Sequence, residues 1–329
     1  MAGSGQAIVV GSYAVGLKMR TDSFPVAGET RLGSGFEEGP GGKGSNQAIG
    51  LARLGADVRF VGCVGADRYG RDALELLQRE GVDTSGVTVI ADEPTGVGFI
   101  VLDAAGDNVI VLDPGANRRL DAALVGERAA SIGRNEVVLT QLEIDAAAAT
   151  AALTAGRAAG ATTVLNPAPA RLVGDETLAA TDVLTPNETE LRILSGLRPQ
   201  AIADDEALAR GLLARGAGTI VVTRGALGAL VVTAGASVVV PAPRVDVIDT
   251  TGAGDAFNAC LTARLLAGDP VTAAVSVAVV AGALACTRSG VVPSLPSTAE
   301  LEAARAGDAS ARETRPRASS TRHRRRSRD

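Results

Sequence analysis

From Val137 onward, short apolar strands and helical stretches alternate almost without a break, and this rhythm restricts the possible folds more than anything else in the chain. Strands are expected at Val137–Leu142, Thr162–Asn166, Val183–Thr185, Thr219–Thr223 and Ala229–Thr233, with helices over Ala146–Ala159, Glu188–Leu194 and Asp205–Arg215. Such a repeat folds as a parallel sheet with helices on both faces. The N-terminal part adds strand Gln6–Gly11, helix Asn46–Leu54 ending at Gly55, strand Val58–Val64 and helix Arg71–Glu80 ending at Gly81. Hydrophobic residues make up 46% of the 329 but aromatics only 2%, so the core must be built from many small aliphatic contacts.

Two stretches do not fit the rhythm. Ser12–Phe24 alternates and stops at Pro25, while Thr95–Leu102 and Asn108–Leu112 flank Asp103-Ala104-Ala105-Gly106-Asp107 as a hairpin would. Segments of about 12–40 and 92–115 are therefore expected to form a small sheet beside the main one. A lid of this kind excludes water when it closes.

Charge and cysteine usage remove several classes of function. From Arg305 to Asp329 there are nine arginines against Asp308, Glu313 and Asp329, so the net −5 of the chain leaves a body at −11. A body that acidic is a poor nucleic-acid binder. The Arg-rich segment 304–329 reads as a disordered tail after a domain spanning 1–303. Three widely spaced cysteines form no metal-ligand pattern and fit a reducing, cytoplasmic setting, and the one histidine, His323, lies in the tail. No run is long and apolar enough to span a membrane.

The strongest local motif is Asp249-Thr250-Thr251-Gly252-Ala253-Gly254-Asp255, followed by a helical pattern over Ala256–Leu266. A glycine-rich turn into a helix aims free N–H groups and the positive end of a dipole at one spot. Asp255 beside that spot is placed to accept a proton from a hydroxyl. An anion cradle with a base describes phosphoryl transfer to an alcohol; the alternative is a tight turn with an acid near the helix start.

Other polar strings sit at expected strand ends. Gly39-Pro40-Gly41-Gly42-Lys43-Gly44 satisfies G-x-G-x-x-G, but no apolar strand precedes it, and it lacks the Walker A pattern. Asn187-Glu188-Thr189-Glu190 follows Val183–Thr185; Glu190 could hold Mg²⁺ through water, or Asn187 and Glu190 could form a capping box. Thr223-Arg224-Gly225 suits nucleotide phosphates, and Glu143 follows the strand ending at Leu142. Carboxyl ends of strands are where open α/β sheets bind ligands.

Together these residues resemble the ribokinase-like (PfkB-type) family of carbohydrate kinases, over about residues 6–297. The resemblance rests on Gly41-Gly42-Lys43-Gly44-Ser45-Asn46, Asn166-Pro167-Ala168-Pro169-Ala170, Asn187-Glu188-Thr189-Glu190, Thr223-Arg224-Gly225 and the Asp249–Asp255 string. It implies a three-layer α/β fold, with a mostly parallel central sheet flanked by helices and a small β-sheet lid. It implies Asp255 as the base and Gly252, Ala253 and Gly254 as the anion hole. Gly42, Lys43, Asn46 and Glu143 would face the sugar, Asn187, Thr223 and Gly225 would contact ATP, and Glu190 would act through Mg²⁺. A monovalent cation, K⁺ in many relatives, would lie near Asp249, Thr251, Ala285, Arg288, Gly290 and Ser294. A homodimer through paired lids is also implied.

Two positions depart from the family pattern. Ribose-phosphorylating members carry Asn and Asp two apart after the first strand, where this chain has Ala14 and Gly16. Each lost hydrogen bond to a charged group is worth roughly 1.5–3 kcal/mol, which counts against D-ribose as the acceptor. Lys18 and Arg20 fall on the same strand face. They could meet an anionic acceptor or be ordinary solvated charges. The expected activity is ATP-dependent phosphorylation of a hydroxymethyl group on a small sugar-like molecule. A nucleoside kinase, a non-catalytic sugar-binding regulator and, more distantly, a dinucleotide-dependent dehydrogenase are the alternatives.

Overall fold

The computed structural model describes residues 5–129 and 132–313. Its strands are β1 Ala7–Val10, β2 Ala14–Arg20, β3 Ser34–Gly41, β4 Val58–Gly65, β5 Asp83–Ile90, β6 Gly96–Leu102, β7 Asn108–Asp113, β8 Val137–Gln141, β9 Thr162–Asn166, β10 Val183–Leu184, β11 Thr219–Thr223, β12 Ala229–Val232 and β13 Ser237–Val240. Nine of them form one sheet in the order β13-β12-β11-β10-β9-β8-β1-β4-β5, and the other four form a second in the order β3-β2-β6-β7. From β11 to β5 every pairing in the large sheet is parallel; β12 and β13 close its other edge antiparallel.

Period-two alternation divides each central strand between two cores. In β1, Ala7 and Val9 pack with Ala48 and Leu51 of helix Lys43–Arg53 and with helices Ala253–Leu266 and Val271–Ala285. Ile8 and Val10 face Ala148, Ala149 and Leu153 of helix Ala146–Ala159 on the opposite side. A sheet buried on both faces must be covered by helices on both, which gives the three layers.

The second sheet is mixed: β2–β3 and β6–β7 are antiparallel, while β2–β6 is parallel. Tyr13 and Val15 seat it on Val64 and Ala73 of the main body. Asn117 fixes both joints, accepting from the Tyr13 amide at 3.0 Å and donating to the carbonyls of Tyr13 and Pro114 at 2.8 Å each.

Differences from the sequence reading lie mainly at element ends. The helix expected at Asn46 begins at Lys43, after Gly42 at φ 95, so the glycine string is partly helical. The stretch before that string, read as no apolar strand, is strand β3, exposed and belonging to the lid. Helix Arg68–Arg79 starts early because the Asp67 side chain accepts from the Gly70 amide. Helix Val271–Ala285 and strands β5 and β13 were not expected. The last helix, Thr298–Glu313, runs through the boundary placed at residue 303, and residues 314–329 of the expected tail lie outside the described residues.

Candidate functional site

Parallel register brings the carboxyl ends of β8 and β9 side by side, with Gln141 opposite Asn166. Beyond β10 and β11, Asn187 pairs with Thr223. Across this rim lie the starts of two helices, Lys43–Arg53 and Ala253–Leu266. These helices cross closely at Gly50, where an added Cβ would lie 2.7 Å from Cβ of Ala259. One turn toward the rim from that crossing, Asn46 meets Asp255.

Asp255 is 6% exposed. Its carboxylate accepts from Nδ2 of Asn46 and from Nε2 of Gln47, both at 2.9 Å. Burial pushes the Asp255 carboxyl above its ordinary range, opposed by the Lys43 charge and by the two amides. Burial works against the Lys43 charge too, but the pull of Asp255, Glu143 and Glu190 outweighs it and holds the ammonium above its ordinary value. An acid with a raised pKa beside a firmly protonated lysine can exchange a proton and meet anionic oxygens in one place. Oδ1 of Asn46, 4% exposed as a residue, has no hydrogen-bond partner among the described residues.

Gly252, at φ 83, caps the helix that carries Asp255. Among the described residues the N–H groups of Gly252, Gly254 and Asp255 have no partner. The Ala253 amide is turned back to the Thr250 carbonyl at 3.2 Å, so the free set is Gly252, Gly254 and Asp255 rather than the expected Gly252, Ala253 and Gly254. A helix start consumes the amide of its first turn residue whenever the preceding turn closes on itself. Three amides at the positive end of a helix dipole are the kind of donors that can receive an anion.

Gly42, Lys43 and Gly44 lie against the end of β1, where an added Cβ on Gly44 would be 2.6 Å from the Ser12 amide nitrogen. Glu143 closes this corner: Oε2 accepts from the Ser12 hydroxyl at 2.6 Å and from the Lys43 amide at 2.8 Å. Glu190 and Asn187 do form a capping box, each side chain accepting from the other's backbone at 2.8 Å. Burial raises the Glu190 carboxyl despite that amide and the Lys43 charge.

Of the residues expected around a monovalent cation, Asp249 accepts from Thr251, through N at 2.9 Å and Oγ1 at 2.6 Å, and from the Gly290 amide at 3.2 Å. These bonds hold its carboxyl low although burial acts upward. The Ala285 carbonyl accepts from the Arg288 amide at 3.4 Å, the Arg288 guanidinium reaches Glu300, and the Ser294 hydroxyl donates to the Val291 carbonyl at 2.7 Å.

On the lid, Ala14 pairs with Gly41 and Gly96, and Gly16 with Gly39 and Gly98, giving two rungs almost without side chains. Lys18, the next residue on that face, forms an ion pair with Glu37 at 2.5 Å, so its charge is answered on the lid itself; Arg20 is exposed. Sequence reasoning missed Gln47, Gln141, Thr185 and Asn258, all buried at the site. The available signal was polar residues inside otherwise apolar segments, as in Ser45-Asn46-Gln47-Ala48-Ile49 and Leu139-Thr140-Gln141-Leu142.

Comparison with known proteins follows the same outline. The family profile described as pfkB family carbohydrate kinase matches residues 5–298. A ribokinase of Haemophilus influenzae is 35% identical over 295 residues, covering 89% of this chain and 95% of the relative. A deoxyribokinase of Salmonella typhi is 36% identical over 290 residues, covering 88% and 95%. Among solved structures, ribokinase from Thermotoga maritima superposes with a TM-score of 0.83 at 31% identity, covering 92% of this chain and 99% of that one. Arabidopsis thaliana ribokinase complexed with ribose and ATP gives 0.82 at 27% identity, covering 92% and 98%.

Proposed function

The chain belongs to the pfkB family of carbohydrate kinases, and from that we propose that it moves the terminal phosphoryl group of ATP to a hydroxymethyl group of a pentose-like sugar, with Asp255 as general base. The observation that carries this reading is the buried Asp255 carboxylate beside three unpartnered amides at a helix start. Asp255 takes the hydroxyl proton as the oxygen attacks. The amides of Gly252, Gly254 and Asp255 receive the charge on the transferring group, usually the larger catalytic term. Asn46 Oδ1 is free to accept from a sugar hydroxyl, and Lys43, Glu143 and the Gly42 backbone line the same corner.

Asn187, Thr223 and Gly225 sit on adjoining strand ends, where a nucleotide would lie across the rim. Mg²⁺ fits Glu190, since its capping bond uses only Oε2. When bound, the metal offsets phosphate charge. A monovalent cation fits the oxygen-rich loop of Asp249, Thr251, Ala285, Gly290 and Ser294; Arg288 would contribute only its carbonyl, its side chain being paired with Glu300.

The bare rungs bear on the acceptor. A site that hydrogen-bonds a hydroxyl rejects the analogue lacking it by about 10⁴–10⁵, whereas Ala14 and Gly16 offer no such group. Ribose and 2-deoxyribose should therefore have kcat/KM values within about tenfold of each other. An assay of ADP release over neutral sugars, anionic sugars and adenosine tests the whole reading. Turnover with adenosine alone would make this a nucleoside kinase, and no turnover with any acceptor would leave a sugar-binding regulator. We also propose a homodimer through the lid, where Phe36, Phe99, Ile110 and Val111 are exposed apolar side chains. Light scattering showing a monomer at micromolar concentration would refute it.

A further inference from the structure

Behind the site runs a chain of buried neutral side chains that ends on two functional groups. Gln47 donates through Nε2 to Asp255 at 2.9 Å and to Oδ1 of Asn166 at 3.0 Å. Its carbonyl accepts from Gln141 at 2.6 Å. Asn166 reaches the Thr185 carbonyl at 3.4 Å, the Thr185 hydroxyl donates to Oδ1 of Asn258 at 2.6 Å, and Asn258 donates through Nδ2 to the Gly254 carbonyl at 2.8 Å. Gln47, Gln141, Thr185 and Asn258 are each at most 2% exposed, and Asn166 is 6% exposed. They come from two helices and three neighbouring strand ends.

We propose that this relay fixes the base and the anion-binding amides in one geometry, with Gln47 and Asn258 as its positioning residues; the inference rests on the reading of Asp255 and the free amides given above. The peptide unit at its far end joins the Gly254 carbonyl to the Asp255 N–H, one of the three unpartnered donors. A hydrogen bond accepted by that carbonyl polarises the same unit and strengthens its N–H as a donor. At the other end Gln47 orients the carboxylate. Gln141 locks the Gln47 amide the right way round, because only its carbonyl can accept from Nε2 of Gln141. Buried polar groups are costly unless satisfied, so a chain of five in an aliphatic core marks a place where position matters more than packing.

Thr185 tests this, since its hydroxyl bonds Asn258 and the Leu165 carbonyl and makes no hydrogen bond to Asp255 or to the free amides. Thr185→Val keeps the volume and removes the hydroxyl; Thr185→Ser keeps the hydroxyl and removes a methyl group. The expected result is that Thr185→Val lowers kcat by roughly tenfold, below the ~10²-fold that a 1 Å misplacement costs, with both KM values within about twofold of wild type. Thr185→Ser should keep kcat within about twofold although it leaves a small cavity and melts lower than wild type. Thr185→Val with wild-type kcat, or kcat that follows Tm across the two variants, overturns the relay. Failure of the base reading shows separately, as turnover retained by Asp255→Asn.

Discussion

The floor of the site and its lid are built on opposite plans. On the floor, two helices and three strand ends are pressed closely together, and Asp255, Asn46, Gln47, Gln141, Asn166, Thr185 and Asn258 are joined by hydrogen bonds, with Oδ1 of Asn46 and Oε1 of Gln141 left without a partner among the described residues. Across the lid, β3, β2 and β6 meet at two rungs of Gly and Ala, β7 is exposed along its length, and Lys18 is paired with Glu37. Chemistry needs fixed atoms, whereas a cover that must admit and release substrate cannot be tied down as tightly. Substitutions that are disabling on the floor should thus be mild on the lid.

Asp255→Asn gives the largest expected effect. Loss of a general base costs about 10²–10⁴-fold in kcat. The variant should fold, because Asn46 can turn over and present its unpartnered Oδ1 to the new amide. Burial raises the folded-state pKa of Asp255, so the ionised form is disfavoured by folding. Its unfavourable contribution grows as pH rises from the unfolded value through the raised folded value, and is complete above it. Asp255→Asn removes that contribution and should melt at or above the wild-type temperature at pH 7. Wild-type kcat should fall on acidification at a pH above the ordinary aspartate range, as Asp255 gains its proton. A folded Asp255→Asn enzyme with normal kcat would remove this residue from the mechanism.

Next in size is one substitution made in both regions. At Gly50 an added Cβ would come within 2.7 Å of Ala259, and both atoms belong to helices that cannot part without moving Asn46 from Asp255. Overpacking of this kind costs about 1–3 kcal/mol, against at most ~1 kcal/mol from improved helix propensity. Gly50→Ala should lower both Tm and kcat. At Gly16 the nearest atoms to an added Cβ are 3.5 Å and 3.7 Å away, ordinary contacts. Gly16→Ala should leave Tm within a degree or two and kcat unchanged, and affect only the KM of the acceptor. Equal damage at the two glycines, seen by thermal melts and steady-state kinetics, would abolish the contrast.

The same contrast explains what could be read from the chain. Asp249–Asp255 is a local string, and the turn, the helix start and the acid follow from its order alone. The strand–helix rhythm after Val137 is equally local. Gln47 could not be recognised in that way, because its partners Gln141 and Asp255 lie 94 and 208 residues away. Thr185 and Asn258 meet across 73 residues. Only the folded crossing of two helices over the sheet's rim turns these unremarked polar residues into a network. Which amides of the expected Gly252–Gly254 set stay free was illegible for a similar reason: whether the Ala253 N–H is used depends on how the Thr250 turn closes, which composition does not specify. Glu190 allowed two readings, a capping residue or an acid holding Mg²⁺ through water; the structure shows the capping bond through Oε2, which does not use Oε1.

The smallest effect belongs to the lid's own ion pair. Lys18 and Glu37 face each other across β2 and β3, and the Glu37 side chain is 60% exposed. Pairs this exposed contribute at most about 1 kcal/mol, less in salt. Glu37→Gln should therefore shift Tm by only a few degrees at low ionic strength and by less at 0.5 M salt. It also frees Lys18, whose charge lies close enough to Asp249 to lower that carboxyl. With Glu37 in place, Lys18→Ala should change KM for neutral and anionic acceptors alike by less than about twofold, because a charge answered by Glu37 in the wild type selects weakly. A KM increase confined to anionic acceptors in Lys18→Ala would show that the lysine leaves Glu37 for the substrate. The lid would then read the acceptor by charge, and the division between a specifying floor and a permissive cover would need to be redrawn at that one residue.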